Sequence, residues 1–196
     1  MKQVGTMVSQ IALGPHVHKD AVAVLNECRW RCLEELKELG LTAARAAELV
    51  DRAEKRFIDT AHLCESPIEQ MVLAAMSLMV IDGSECFPPA IHDVMGGDLW
   101  PESLVVIVPQ FVVARFRLDF LVVVMCSDGR FSFAVECDGL KHHSNITDRR
   151  RDAERDYYLR CLGIKTIRLK GDWIYKNQWR VADEIEAIIK EKRRAA

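Results

Sequence analysis

The chain reads as an α/β domain, a mixed β-sheet with helices over it, behind a helical N-terminal extension. Three observations predict this. The apolar period changes from helical to two after Ser103. Two apolar runs flank Asp128-Gly129, a strong two-residue hairpin signal. The C-terminal third alternates strand, helix and strand, a unit whose crossover helix must lie over the sheet.

The elements follow in order. A first helix runs from about Lys19 to Leu39, with Gly40 as its C-terminal stop. A second begins after Thr42, a good N-cap, with Ala-rich periodic sequence following. Nothing in this pair suggests chemistry, so packing or homodimerisation is its expected role. Ser66-Pro67-Ile68-Glu69 opens a third helix, with serine as cap, proline at the first position and glutamate at the third. The run MVLAAMSLMVI makes that helix largely buried. Strands are expected over Leu104–Val108, Val112–Met125 and Arg130–Asp138. A helix follows over Thr147–Leu162, then a strand over Ile164–Leu169 and a closing helix over Asn177–Arg193. The division is a helical extension over residues 1–64 and an α/β domain over 65–196.

Composition excludes several classes. The chain has 196 residues, enough for a sizeable core, with 49% apolar and 29% charged residues. The N-terminus lacks a signal-peptide pattern, and the longest apolar run, Leu121–Cys126, cannot span a bilayer. A cytoplasmic protein is expected. Its seven cysteines include no CxxC pair and read as reduced, small apolar residues. Net charge is −2, which offers no general attraction for a polyanion. The charge is uneven, however: nine Lys/Arg against four Asp/Glu lie between Gly139 and Lys170. Such a segment fits a local phosphate-binding surface or a solvated helix face.

The hairpin carries the chemical argument. With Asp128-Gly129 at the turn, Ser127 pairs with Arg130, Asp119 lies opposite Asp138, and Leu121 opposite Glu136. Side chains alternate faces along a strand. Val112, Ala114, Phe116, Leu118, Phe120, Val122 and Val124 then share an apolar face with Phe131, Phe133, Val135 and Cys137. The other face carries Arg115, Arg117 and Asp119 beside Ser132, Ala134, Glu136 and Asp138. Opposed residues have Cβ atoms about 5 Å apart and diagonal ones about 7–8 Å. Carboxylates that close raise one another's pKa, and a cation between them removes the penalty. Oxygen ligands of this kind suit Mg²⁺ or Mn²⁺. An ordinary polar sheet face, with Asp119 paired to the nearby arginines, is the competing reading.

These residues resemble the PD-(D/E)XK superfamily, the restriction-endonuclease-like nucleases. Asp119 on one strand and Glu136-Cys137-Asp138 on the next carry the likeness. The arrangement is most similar to small domains related to very-short-patch-repair endonucleases. Those show a glutamate opening a buried helix (Glu69 here), an acid–aspartate–glycine–histidine run (Glu136 to His142) and a helix patterned D-x-x-R-D-x-x-L-x-x-x-G (Asp152 to Gly163). The likeness spans about residues 65 to 190. It implies an αβββαβα core and a Mg²⁺- or Mn²⁺-dependent endonuclease acting on DNA in preference to RNA. Where the superfamily's motif ends in lysine, this chain has Asp138. Lys141, His142 or His143 stands near enough in sequence to take that lysine's part.

The roles expected are specific. Asp119 and Glu136 ligate the metal, and Asp138 is a third ligand or orients His142. Glu69 caps its helix or reaches the metal through water. His142 serves as general acid or base. Lys141, Arg149, Arg150, Arg151 and Arg155 face phosphates, although Arg155 also suits an ion pair with Asp152 or Asp156. Trp173 and Trp179 are expected in the core. Two rival functions remain: a non-catalytic nucleic-acid-binding module on the same fold, and a defence- or toxin-type interaction protein docking through its N-terminal helices.

Overall fold

The computed structural model describes residues 15–81, 90–91, 105–126, 129–139 and 146–195. Among the described residues, six α-helices and five strands follow in the order α1 (Lys19–Glu38), α2 (Ala43–Thr60), α3 (Pro67–Ser77), β1 (Ala90–Ile91), β2 (Val105–Val113), β3 (Phe116–Cys126), β4 (Gly129–Asp138), α4 (Ile146–Cys161), β5 (Lys165–Lys170), α5 (Gly171–Lys176) and α6 (Arg180–Ala195), with a 3-10 turn over Ala61–Leu63. The strands form one sheet in sequence order. β1 runs parallel to β2, β2–β3–β4 form an antiparallel meander, and β5 returns parallel to β4 through α4. The mixed sheet is as expected.

Local chemistry sets the helix ends. Thr42 accepts a hydrogen bond from Arg45 N, and Ser66 Oγ accepts one from Glu69 N. Gly40 follows α1 at φ +91°, a conformation only glycine enters freely. Every residue of α3 from Glu69 to Ser77 is buried, because α3 lies between the sheet and α1, α2 and α6. One continuous apolar cluster joins Val24, Leu36, Phe57, Leu73 and Met76 to Phe120, Val122, Val135 and Ile185. The extension therefore shares its core with the sheet, and the apolar stripes of α1 and α2 are spent inside the molecule. The other sheet face carries a smaller cluster: Val106, Val108, Leu118, Leu121, Val123 and Ala134, covered by Leu159 of α4.

The structure corrects three expectations. First, the hairpin register differs by two residues. Cys126 pairs with Gly129 and Phe120 with Val135, so the connection is residues 127–128, which lie outside the described set. A shift of two keeps Phe120 to Val124 and Phe131 to Val135 on their expected faces, whereas a shift of one would invert them. Leu118, expected beside Phe120, lies on the opposite face. It does change partners: Asp119 now stands level with Glu136 and not with Asp138. Second, Val112–Met125 is not one strand. Val113 pairs with Phe116 across an Ala114-Arg115 turn, with Ala114 at φ +52°. Arg115 therefore sits in a turn, where it pairs with Glu154, and Val112 is exposed. Third, α5 and β1 were not expected, and Trp179 is 48% exposed, not core. Trp173 is half-buried against the main cluster.

Candidate metal and phosphate site

The site lies where β3 parts from its neighbours. β2–β3 pairing skips the position at which Gln110 would face Asp119, and Gln110 takes φ +51°. Side-chain alternation breaks there too: Leu118 joins the smaller cluster, while Phe120 belongs to the main one. On the other side, β3–β4 pairing stops at Phe120–Val135, and the Asp119 Oδ2 accepts a hydrogen bond from Cys137 N at 2.6 Å. A ladder N–H is thus satisfied by an acid side chain, which fixes Asp119 against β4.

Glu136 is 5% exposed. Its Oε2 accepts a hydrogen bond from Arg155 of α4 at 3.1 Å. Its Oε1 is buried without a partner, as are Nε of Arg155, Oγ1 of Thr166 and Oε1 of Gln110. Thr166 neighbours Ala134, two residues before Glu136 on the same face. Two of these orphaned atoms, Glu136 Oε1 and Arg155 Nε, belong to the same ion pair, and a buried polar atom without a partner costs about 1–3 kcal/mol.

Electrostatics agree with the geometry. Burial raises the Asp119 carboxyl from 3.8 to about 6, opposed by the Cys137 hydrogen bond and reinforced by Glu69. Burial likewise raises Glu136 from 4.5 to about 7, opposed by Arg155 and reinforced by Asp119. Two acids that resist ionisation, with Asp119 raising Glu136, form a site a cation would complete.

The remaining expected residues divide. Glu69 makes the capping interaction: Oε1 accepts from Ser66 Oγ at 2.7 Å and Oε2 from Glu65 N at 2.9 Å. The same Oε2 accepts from Gln110 Nε2 at 2.7 Å, which ties the helix cap to the strand break beside Asp119. Asp138 does not converge with the pair. Arg168 lies 3.7 Å from it on β5, and among the described residues no group of three His, Cys, Asp or Glu is gathered closely enough to hold a metal. The three-acid cluster is thus reduced to a pair with Asp138 to one side. Arg117 pairs with Glu65 and Arg115 with Glu154, so the ion pairs of both arginines in the competing reading go to other acids, and Arg155 acts on Asp119 instead. Arg150 and Arg151 are exposed on α4. Arg155 is an ion pair with Glu136 and, more distantly, Asp152. Lys141, His142 and His143 lie outside the described residues, as does the side chain of Arg149.

Sequence reasoning missed Arg168 and Gln110. Arg168 pairs in register with Glu136 and binds Asp156 at 2.9 Å. A parallel β4–β5 register read from the crossover would have found it. Gln110 carried no such signal, since only the left-handed turn of its backbone brings it to Glu69.

Residues 102–189 match the family model REase_MTES_1575, a restriction-endonuclease-like family. The match covers β2 through most of α6 and coincides with the sheet bearing Asp119 and Glu136. The fold is restriction-endonuclease-like. No curated protein and no solved structure matches the chain. The restriction-endonuclease-like match begins after α3, so it covers the acid pair and Arg155 but not Glu69. Among the described residues no helix is long and apolar enough to cross a membrane.

Proposed function

We propose that the protein is a metal-dependent nuclease that hydrolyses phosphodiester bonds, with DNA favoured over RNA. The observation that carries this is the pairing of half-buried Asp119 with buried Glu136, which has an unpartnered oxygen, on a restriction-endonuclease-like sheet. Mg²⁺ or Mn²⁺ suits the pair, because Mg²⁺ binds through one or two carboxylates and keeps waters or phosphate oxygens in its other positions. Bound there, the ion supplies a water nucleophile and charge neutralisation at phosphorus.

The chain's own groups do the rest. Asp119 and Glu136 hold the ion. Cys137 N–H fixes the Asp119 rotamer, and Glu69 with Gln110 braces the strand break behind it. Arg150 and Arg151 on the exposed side of α4, with Lys141 and Arg149, meet backbone phosphates. His142 acts as general acid or base, and Asp138 orients it. The motif run from Glu136 to His142 in the sequence supports the role of His142.

One observation favours a second reading. Arg155 already neutralises Glu136, as it would in a non-catalytic nucleic-acid-binding module. Incubating the protein with structured DNA and RNA substrates, with and without Mg²⁺, separates the two. Metal-dependent cleavage supports the nuclease, whereas retention of nucleic acid without cleavage under any condition supports the module.

A further inference from the structure

The Arg155–Glu136 pair is poorly made for a permanent ion pair. A single contact, Arg155 NH1 to Glu136 Oε2 at 3.1 Å, joins them. A guanidinium offers five N–H donors in a planar fork and meets carboxylates best through two parallel bonds. Here the second carboxylate oxygen and the guanidinium Nε are both buried and unpartnered. Among the described residues its other ion pair is with Asp152, one turn earlier on α4 at 3.8 Å. Arg168, level with Glu136 on β5, is bound to Asp156. The arginine thus supplies charge to the acid pair without satisfying its geometry.

We propose that Arg155 is an exchangeable counter-cation. It neutralises Glu136 while the acid pair holds no metal, yields when a divalent cation binds, and then offers its guanidinium to the nucleic-acid phosphate at the same site. The position of α4 makes the exchange short. Leu159 anchors the helix on the sheet one turn beyond Arg155, and Arg150 and Arg151 stand exposed one turn before it. A released Arg155 side chain therefore swings between the carboxylates below and a phosphate held along the helix, without movement of the backbone. Phosphate is a natural second partner, since the guanidinium fork fits its oxygens as it fits a carboxylate. The inference rests on Asp119 and Glu136 being the metal ligands.

Calorimetric titration of Mn²⁺ into the full chain tests it, together with cleavage of DNA in Mg²⁺. Arg155→Met removes the competing charge and keeps the apolar stem. It is expected to bind Mn²⁺ about tenfold more tightly than the wild type and to cleave roughly a hundredfold more slowly. A merely structural arginine would lose both properties together. Equal or weaker Mn²⁺ binding in Arg155→Met overturns the proposal, as does tighter binding with wild-type cleavage. Mn²⁺ binding by the wild type that disappears in Asp119→Ala leaves the ligand assignment standing whatever Arg155 does. No binding by either protein overturns the assignment and this inference together. A second measurement needs no variant. The Arg155 Nε–H resonance of the wild type, followed by NMR during Mg²⁺ titration, is expected to move and saturate with the metal. An unmoved resonance at saturating Mg²⁺ overturns the exchange.

Discussion

Replacing Glu136 with glutamine keeps the shape of the side chain and removes its ionisation, so its effect on stability must depend on pH. In the folded, metal-free protein the Glu136 pKa is about 7, against an ordinary value of 4.5. The folded state therefore binds the proton more tightly than the unfolded state, and stability falls as pH rises through this interval. Below about pH 4.5 both states carry a protonated Glu136 and it costs nothing. Above about pH 7 the full cost of holding the buried charge is present. Linkage between these values gives roughly 2.5 kcal/mol of lost stability between pH 5 and pH 8, as an upper limit. Glutamine has no such loss. Urea denaturation in the presence of a chelator, at pH 5 and pH 8, should show the difference between Glu136→Gln and wild type shift by that amount in favour of the variant. The absolute level also reflects the glutamine's poorer partnership with Arg155, but that contribution does not titrate in this range. Parallel pH profiles for the two proteins would refute the claim that burial of an ionisable Glu136 stresses the fold.

Three further outcomes follow from the same structure. Ser66→Ala removes the acceptor for Glu69 N and one donor to its carboxylate, and should cost about 1 kcal/mol, seen as a fall in Tm of about 2–4 °C. In Gly171→Ala the new Cβ would stand 3.0 Å from both the Asp138 carbonyl oxygen and Ile68 Cδ1. Because one neighbour is backbone, thermal unfolding should report a loss of about 1–3 kcal/mol. The double change Arg150→Gln, Arg151→Gln alters exposed groups outside the acid pair, so the folded stability should stay within about 0.5 kcal/mol. Its DNA affinity should fall, and the slope of log affinity against log salt should lessen by about 2.

The fold was legible where residue pattern and physics coincide. Thr42, Ser66 and Gly40 mark helix ends because each supplies what a helix terminus lacks. The placement of Asp119 and Glu136 near each other survived an error in the hairpin register, since the error was an even number of residues. The Ala114-Arg115 turn was illegible because it lacks the glycine or asparagine that such turns usually need, and alanine bears the left-handed conformation there. The break at Gln110 was equally hidden. Long-range pairing of strands forces it, and no local sequence preference announces it. The same holds for Arg155: its spacing on α4 suited Asp152 or Asp156, and only the packing of α4 across the sheet delivered it to Glu136. Asp138 failed to join the acid pair for a comparable reason, since β5 brings Arg168 up beside it.

The central claim is that Asp119 and Glu136 hold a catalytic divalent cation against a nucleic-acid phosphate. Cleavage of DNA by the purified chain in Mg²⁺ or Mn²⁺, compared with Asp119→Ala and Glu136→Ala under the same conditions and with a chelator control, tests it most directly. The account predicts cleavage by the wild type that the chelator stops and that falls to background in both variants. Cleavage by both variants at the wild-type rate would contradict it.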